Sequence, residues 1–287
     1  MKRYLHIILE LIKYKVSIAV SFTTITGYLV YSGKFDIGTV YLALSIFLLA
    51  GGSSAMNECQ ESDYDALMDR TKNRPIPSGR ISRTNAWVVS IAITLIGLGM
   101  LYWIFNPITA LLGVINLIWY NVIYTNLKRV SSFAVVPGSM VGAIPVLMGW
   151  TAAGGVWYEA TIIFIAFFLF IWQVPHFWLL MLKYNKEYEN AGFKTINQAV
   201  HPQHLKHVIF AWIVATSFTS IIVPLFLTQL SLSFFVLIFV LNILFIGVFT
   251  KLTFSDVLEL NFRKSFITIN LYMMLFMTLL ITYHIVF

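Results

Sequence analysis

The sequence predicts an all-α integral membrane protein: about nine transmembrane helices in a bundle, with a central cavity open to the cytoplasmic side. Three observations predict it. Hydrophobic residues make up 59% of the chain and charged residues 11%, about half the charge fraction of a typical soluble domain. The apolar residues fall in continuous runs long enough to cross a hydrocarbon core, which needs about 20 residues per helix. The basic residues lie almost entirely on one side of those runs.

The runs lie at roughly 13–32, 37–56, 85–105, 107–125, 133–152, 160–182, 206–227, 231–250 and 265–286. None shows the period of two that a barrel strand requires, so helices are expected. The formal charge of +7 would fit a nucleic-acid partner in a soluble chain. Here topology accounts for it. With the N-terminus inside, 18 of the 19 Lys and Arg residues share one side of the membrane and only Lys34 lies on the other. Cytoplasmic loops carry such an excess. An odd number of spans then sets Phe287 outside. The basic N-terminal stretch leads into a retained span rather than a cleavable signal, which fits a bacterial cytoplasmic membrane. Cys59, the only cysteine, reads as a small reduced residue.

The chain reads as one domain, 1–287. Outer connections are short: Asn106-Pro107 is nearly a bare turn, and so is Thr228–Ser231. Two inner connections are long, at 57–84 and 183–205, and four spans separate them. That spacing hints at duplicated four-helix units. Polar chemistry confined to inner loops places the site there.

In the first long connection Asn57, Glu61, Asp65 and Asp69 recur every four residues. On a helix they share one face, drifting by about 40° per step. Stacked carboxylates repel each other, more so near a membrane, so a cation is expected on them. Mg²⁺ suits the set because it takes hard oxygen ligands and shares its shell between carboxylates and substrate phosphates. A solvated acidic helix is the plain alternative. Against it, a basic block follows at once: Arg70-Thr71-Lys72-Asn73-Arg74-Pro75-Ile76-Pro77-Ser78-Gly79-Arg80. Guanidinium forks suit phosphate oxygens. Carboxylates beside guanidiniums point to a metal–diphosphate site, with Arg70, Lys72 and Arg74 on the diphosphate.

Lys128 and Arg129 close the fourth run and fit either a leaving diphosphate or topology signalling. Lys183 opens the second long connection, and Glu187 four residues on shares its helical face. Glu187 is a candidate second metal position. The sixth run contains Trp172-Gln173-Val174-Pro175-His176-Phe177-Trp178. Pro175 frees a backbone carbonyl. His176 lies at membrane depth, where polar groups are functional by default. A hydrogen bond from His176 to Gln173 or to a neighbouring helix is the plain alternative. His201, His204 and His207 are interrupted by Pro202 and read as interfacial residues.

The run Asn57-x3-Glu61-x3-Asp65, then Arg70-Thr71-x-Asn73-Arg74-Pro75 and Gly79-Arg80, resembles the intramembrane UbiA-type prenyltransferase superfamily. Within it, the 70–75 run, Tyr124-x2-Leu127-Lys128-Arg129, Pro175-His176-Phe177-Trp178 and Tyr188-x2-Ala191-Gly192 are similar to the protoheme IX farnesyltransferase (haem O synthase) branch. The resemblance extends from Leu11 to at least Asn197.

What the resemblance implies is a transfer reaction. Farnesyl diphosphate and haem b are the implied substrates and Mg²⁺ the cofactor. Asn57, Glu61 and Asp65, with Asp69 and Glu187, are the implied metal positions. Arg70, Lys72, Arg74, Lys128, Arg129 and Lys183 are the implied diphosphate ligands. Asn57, Glu61, Asp65, Arg70 and His176 are the implied catalytic set, and His176, Trp178 and Tyr124 face the haem. The allylic cation is captured by a haem vinyl group, and water completes a hydroxyethylfarnesyl side chain. Partners implied are the bilayer and a downstream haem A synthase or oxidase assembly factor.

The chain departs from the pattern in three places. Glu61 stands where many members have Asp. Ala191 stands four residues after Glu187, where a second acid is common. Lys194-Thr195 replaces a Pro-Met-like pair. Two alternatives stay open: a sister enzyme acting on a quinone-type or chlorin acceptor, and a transporter. The near absence of charge within the spans argues against transport.

Overall fold

The computed structural model describes residues 2–227, 231–254 and 262–286, and all regular structure among them is helical. The helices are α1 (Lys2–Leu11), α2 (Tyr14–Ser32), α3 (Ile37–Asp65), α4 (Arg83–Phe105), α5 (Pro107–Val130), α6 (Val135–Ala152), α7 (Ala160–Lys183), α8 (Asn185–Asn190), α9 (Pro202–Ile222), α10 (Leu232–Phe254) and α11 (Phe262–Val286). Eight of them are long and apolar enough to cross a membrane: α3 to α7 and α9 to α11. The sequence led us to expect nine. The run at 13–32 does form a helix of spanning length, about 28 Å at 1.5 Å per residue. Its apolar character is diluted by Ser17, Ser21, Thr23, Thr24 and Thr26, all buried. These side chains face neighbouring helices rather than lipid, and buried hydroxyls bond to the helix's own carbonyls, as Thr24 does to Val20 at 3.0 Å, while Val16 and Ile18 stand on its exposed face. Thr228 and Phe287, on which an outer turn and an outer C-terminus were expected, lie outside the described residues.

Local chemistry sets the helix ends. Asp36 accepts from the Thr39 amide at 3.1 Å, and the Thr39 hydroxyl accepts from the Asp36 amide at 3.3 Å. This reciprocal pair starts α3. Asn106 alone separates α4 from α5. It accepts from the Thr109 amide at 2.9 Å, with Pro107 at the first helical position, where a missing N–H costs nothing. The near-bare turn expected there is present.

The spans form a ring. α2 packs on α3, α3 on α4, α4 on α5, α5 on α6, α6 on α7, α7 on α9, α9 on α10 and α10 on α11, and α11 returns to α2. α2 also lies along α6, and the two approach closely. A Cβ at Gly27 would overlap the Val146 carbonyl, and one at Gly149 the Thr24 carbonyl. Small residues permit such backbone contact in membranes. On the α9–α11 side the spans are tied by a polar clip. Asn242 Oδ1 accepts from Tyr272 at 2.9 Å and from Ser220 at 3.1 Å. Large apolar side chains such as Trp103, Leu95, Phe218 and Leu244 stand exposed on the outside, as a lipid-facing surface requires.

Candidate active site

α3 runs on beyond its apolar half to Asp65, so Asn57, Glu61 and Asp65 share one continuous helical face. All three are buried and line a cavity of about 310 Å³. The chain leaves the helix at Ala66, which breaks the four-residue register. Asp69 is therefore off the ladder expected for it. It is exposed and paired with Lys72 at 2.5 Å.

The loop after α3 folds back over the helix end. The Thr71 hydroxyl donates to the Asp65 carbonyl at 2.8 Å, and the Ile76 amide donates to Glu58 at 3.2 Å. Arg80 donates twice to Glu10 of α1, at 2.7 and 2.8 Å. That bond holds the Glu10 carboxyl below its usual range. A lowered carboxylate pKa stabilises the fold above the unfolded value, about 4.3, and the contribution is lost as pH falls through the folded value. Both side chains are about a third exposed, so the gain stays under about 1 kcal/mol. Glu10→Gln is expected to melt slightly below wild type at neutral pH. The two melting curves should draw together as pH falls below the unfolded value of about 4.3 and through the lower folded one.

Each side chain of the α3 face meets a basic group. Arg74 Nη1 lies 2.6 Å from Asp65 Oδ2. Lys128 Nζ lies 2.6 Å from the Glu61 carboxylate. Lys13 Nζ donates to Asn57 Oδ1 at 3.2 Å. The Asn57 amide is oriented from behind, because its Nδ2 donates to Thr125 at 3.1 Å. Thr125 in turn donates to the Tyr120 carbonyl at 2.9 Å, within a wider helical turn spanning Trp119–Tyr124. Arg70 completes the mouth: its guanidinium donates to Tyr188 at 2.7 Å and lies over the Tyr184 ring.

The structure therefore gathers Asn57, Glu61, Asp65, Arg70, Arg74, Lys128 and Tyr124 on the cavity wall. It leaves Lys72, Arg129, Lys183, Glu187, His176 and Trp178 off that wall. Arg129 donates to the Gln60 carbonyl at 3.2 Å and covers the Tyr64 ring. Lys183 and Glu187 do not share a helical face, because the chain breaks at Tyr184 between α7 and α8. Glu187 instead accepts from the Arg70 amide at 3.0 Å, so it positions the basic block.

On α7 the helix continues through Pro175. Its faces divide the motif. Trp172 and His176 turn to α11, where Trp172 donates to the Ile269 carbonyl at 2.9 Å and His176 packs on Phe266. Trp178 meets Trp212 of α9 edge-on. Gln173 and Phe177, four residues apart, face the cavity. Of the two partners expected for His176, the structure supplies the neighbouring helix, α11, and not Gln173. Phe177 stacks on Tyr124 at 6.3 Å, and Tyr124 on Tyr120 at 6.0 Å. Sequence reasoning missed Lys13, Tyr188, Gln173 and Phe177 as wall residues. The four-residue spacing of Gln173 and Phe177 was the available signal.

Among the described residues no three His, Cys, Asp or Glu side chains converge as a metal cage. Two carboxylates and one amide oxygen on a single face, each held by a cation, still fit Mg²⁺. That ion is usually held by one or two carboxylates together with substrate phosphates.

Residues 20–281 match the model of the UbiA prenyltransferase family. The chain belongs to that family. Among its relatives, the protein from Flavobacterium psychrophilum named protoheme IX farnesyltransferase is 41% identical over 189 residues, covering 64% of this chain and 62% of that protein. The proteins of the same name from Geobacter sulfurreducens and Nitratidesulfovibrio vulgaris are 37% and 33% identical, covering 66% and 75% of this chain and 70% and 75% of their own length. The match to the Flavobacterium relatives thus spans under two thirds of their length. Among solved structures, a digeranylgeranylglyceryl phosphate synthase superposes with a TM-score of 0.80 at 19% identity over the whole of both chains. A UbiA homologue from Archaeoglobus fulgidus bound to GPP and Mg²⁺ gives 0.73 at 17% identity, covering 98% of this chain and all of that one. These two likenesses establish the UbiA-type helical fold for this family member.

Proposed function

We propose that this UbiA family protein transfers a farnesyl group from farnesyl diphosphate to a vinyl group of haem b. Water is added in the same reaction, giving haem O and diphosphate. The observation that carries the reading is the paired order of charge around one cavity: Asn57, Glu61 and Asp65 on one face of α3, each answered by Lys13, Lys128 or Arg74. The relatives' shared name directs the choice of acceptor.

Asn57, Glu61 and Asp65 would hold Mg²⁺, which when bound neutralises charge developing on the diphosphate. Arg70, Arg74 and Lys128 add positive charge where the leaving oxygen becomes anionic, and Lys13 adds a hydrogen-bond donor beside Asn57. Preorganised charge of this kind is the largest single contribution in many enzymes. Lys72, Arg129 and Lys183 serve the approach of the anion from the rim, and Asp69 and Glu187 hold the basic block in place. Below the mouth, the rings of Tyr124 and Phe177 line the cavity, and aromatic walls suit a cation and exclude bulk water. His176 and Trp178 fix α7 from behind, so that the Gln173–Phe177 face meets the haem. We place the protein in a bacterial cytoplasmic membrane with the charged mouth on the cytoplasmic side, from the distribution of Lys and Arg.

An acceptor comparison tests this. Membranes containing the protein, given farnesyl diphosphate, Mg²⁺ and either haem b or 4-hydroxybenzoate, are expected to prenylate only the haem. Prenylated benzoate with unmodified haem would assign the chain to a sister activity.

A further inference from the structure

Beneath the charged mouth the cavity wall is largely apolar, with Leu117, Val141, Pro145, Met148 and Phe177. Polar groups belonging to three of its residues break that apolar character. Gln173 of α7 is 9% exposed, and its Oε1 is buried with no hydrogen-bond partner. Asn116 Oδ1 of α5 is likewise buried and unpartnered. Pro145 has no N–H, so the Val141 carbonyl one turn earlier on α6 loses its usual donor. All four residues line the same cavity. α6 packs between α5 and α7, so the two amides flank its cavity-facing stripe.

The seat of Gln173 is tight. A Cβ at Gly142 would overlap Gln173 Oε1, so only glycine there admits the amide. Buried oxygens without donors are costly, and a ligand that supplies the missing hydrogen removes that cost. The unmatched atoms are acceptors. Diphosphate and carboxylate groups are acceptors too and do not satisfy them. A water molecule does.

We infer that Gln173, assisted by Asn116, positions the water that ends the reaction. The inference rests on the haem-farnesylation reading. Diphosphate leaves farnesyl C1 with the C–O electron pair. The π pair of a haem vinyl group bonds its terminal carbon to C1, leaving positive charge on the vinyl carbon next to the ring. A lone pair of water closes on that carbon, and the released proton passes to the diphosphate, a stronger base than an amide. Haem b, farnesyl diphosphate and water give haem O, diphosphate and a proton. Gln173 is a positioning residue: it orients the water and accepts its hydrogen bond. With the water displaced, the same cation loses a neighbouring proton and gives an alkene one water lighter.

The test uses the full chain in lipid nanodiscs with haem b, farnesyl diphosphate and Mg²⁺, with haems separated by mass. Gln173→Leu is expected to shift the ratio of alkene to haem O about tenfold or more. The KM for farnesyl diphosphate should be unchanged, and Gln173→Glu should restore haem O. Gly142→Ala, which pushes the amide off its seat, should shift the ratio the same way and serves if Gln173→Leu does not fold. A wild-type ratio in both variants overturns the role of Gln173 alone. Wild-type protein that leaves haem unmodified overturns the parent reading and this inference with it.

Discussion

Asp65→Asn is expected to reduce turnover at least about 10²–10³-fold, the usual cost of deleting one preorganised electrostatic contact, while the protein still folds. Asp65 is almost fully buried and bonded to Arg74 at 2.6 Å. Asparagine keeps the size and one acceptor oxygen, removes the charge and replaces the second oxygen with an amide donor. Arg74 retains some exposure and can turn its charge toward water, so the thermal penalty is small beside the loss of rate. The check is a pair of measurements on one preparation: melting in detergent and haem product per minute. Turnover within a few-fold of wild type would remove the α3 face from the chemistry.

Arg74→Met is expected to fail in both measurements. It strands the Asp65 carboxylate, 2% exposed, without its cation. Removing one partner of a buried pair typically costs about 3–5 kcal/mol, so the melting temperature should drop clearly. Turnover should also fall by about 10²-fold or more, seen mainly in kcat/KM for farnesyl diphosphate, with the KM for haem little changed. Arg74→Lys retains charge but not the planar fork, and should restore stability better than rate. A stable, fully active Arg74→Met protein would show that Asp65 needs no partner and that the basic block is ordinary loop charge.

The membrane class was legible because lipid imposes long apolar helices on a chain. The exception, α2, shows the limit of that reasoning: a helix can carry Ser17, Thr24 and Thr26 on the face it packs against its neighbours, where a lipid-facing surface would not. The α3 ladder was legible as far as Asp65, because spacing by four is helical geometry. Asp69 followed the same spacing, but the turn at Ala66 that releases it carries no proline or glycine to announce it. Lys13 was not legible as a site residue. It reaches Asn57 only because it takes a left-handed backbone, φ 46°, between α1 and α2, a conformation unusual for a side-chain-bearing residue. On α7 the eye fell on His176, yet each residue step turns a helix by about 100°. The face shared by Gln173 and Phe177 meets the cavity, while the face of Trp172 and His176 meets α11.

The most direct measurement counts two products at once from purified protein in nanodiscs with haem b, farnesyl diphosphate and Mg²⁺. Diphosphate release and haem O formation should appear together, one for one, and both should stop when the Mg²⁺ is chelated. Diphosphate released while the haem keeps its original mass would contradict farnesyl transfer to haem.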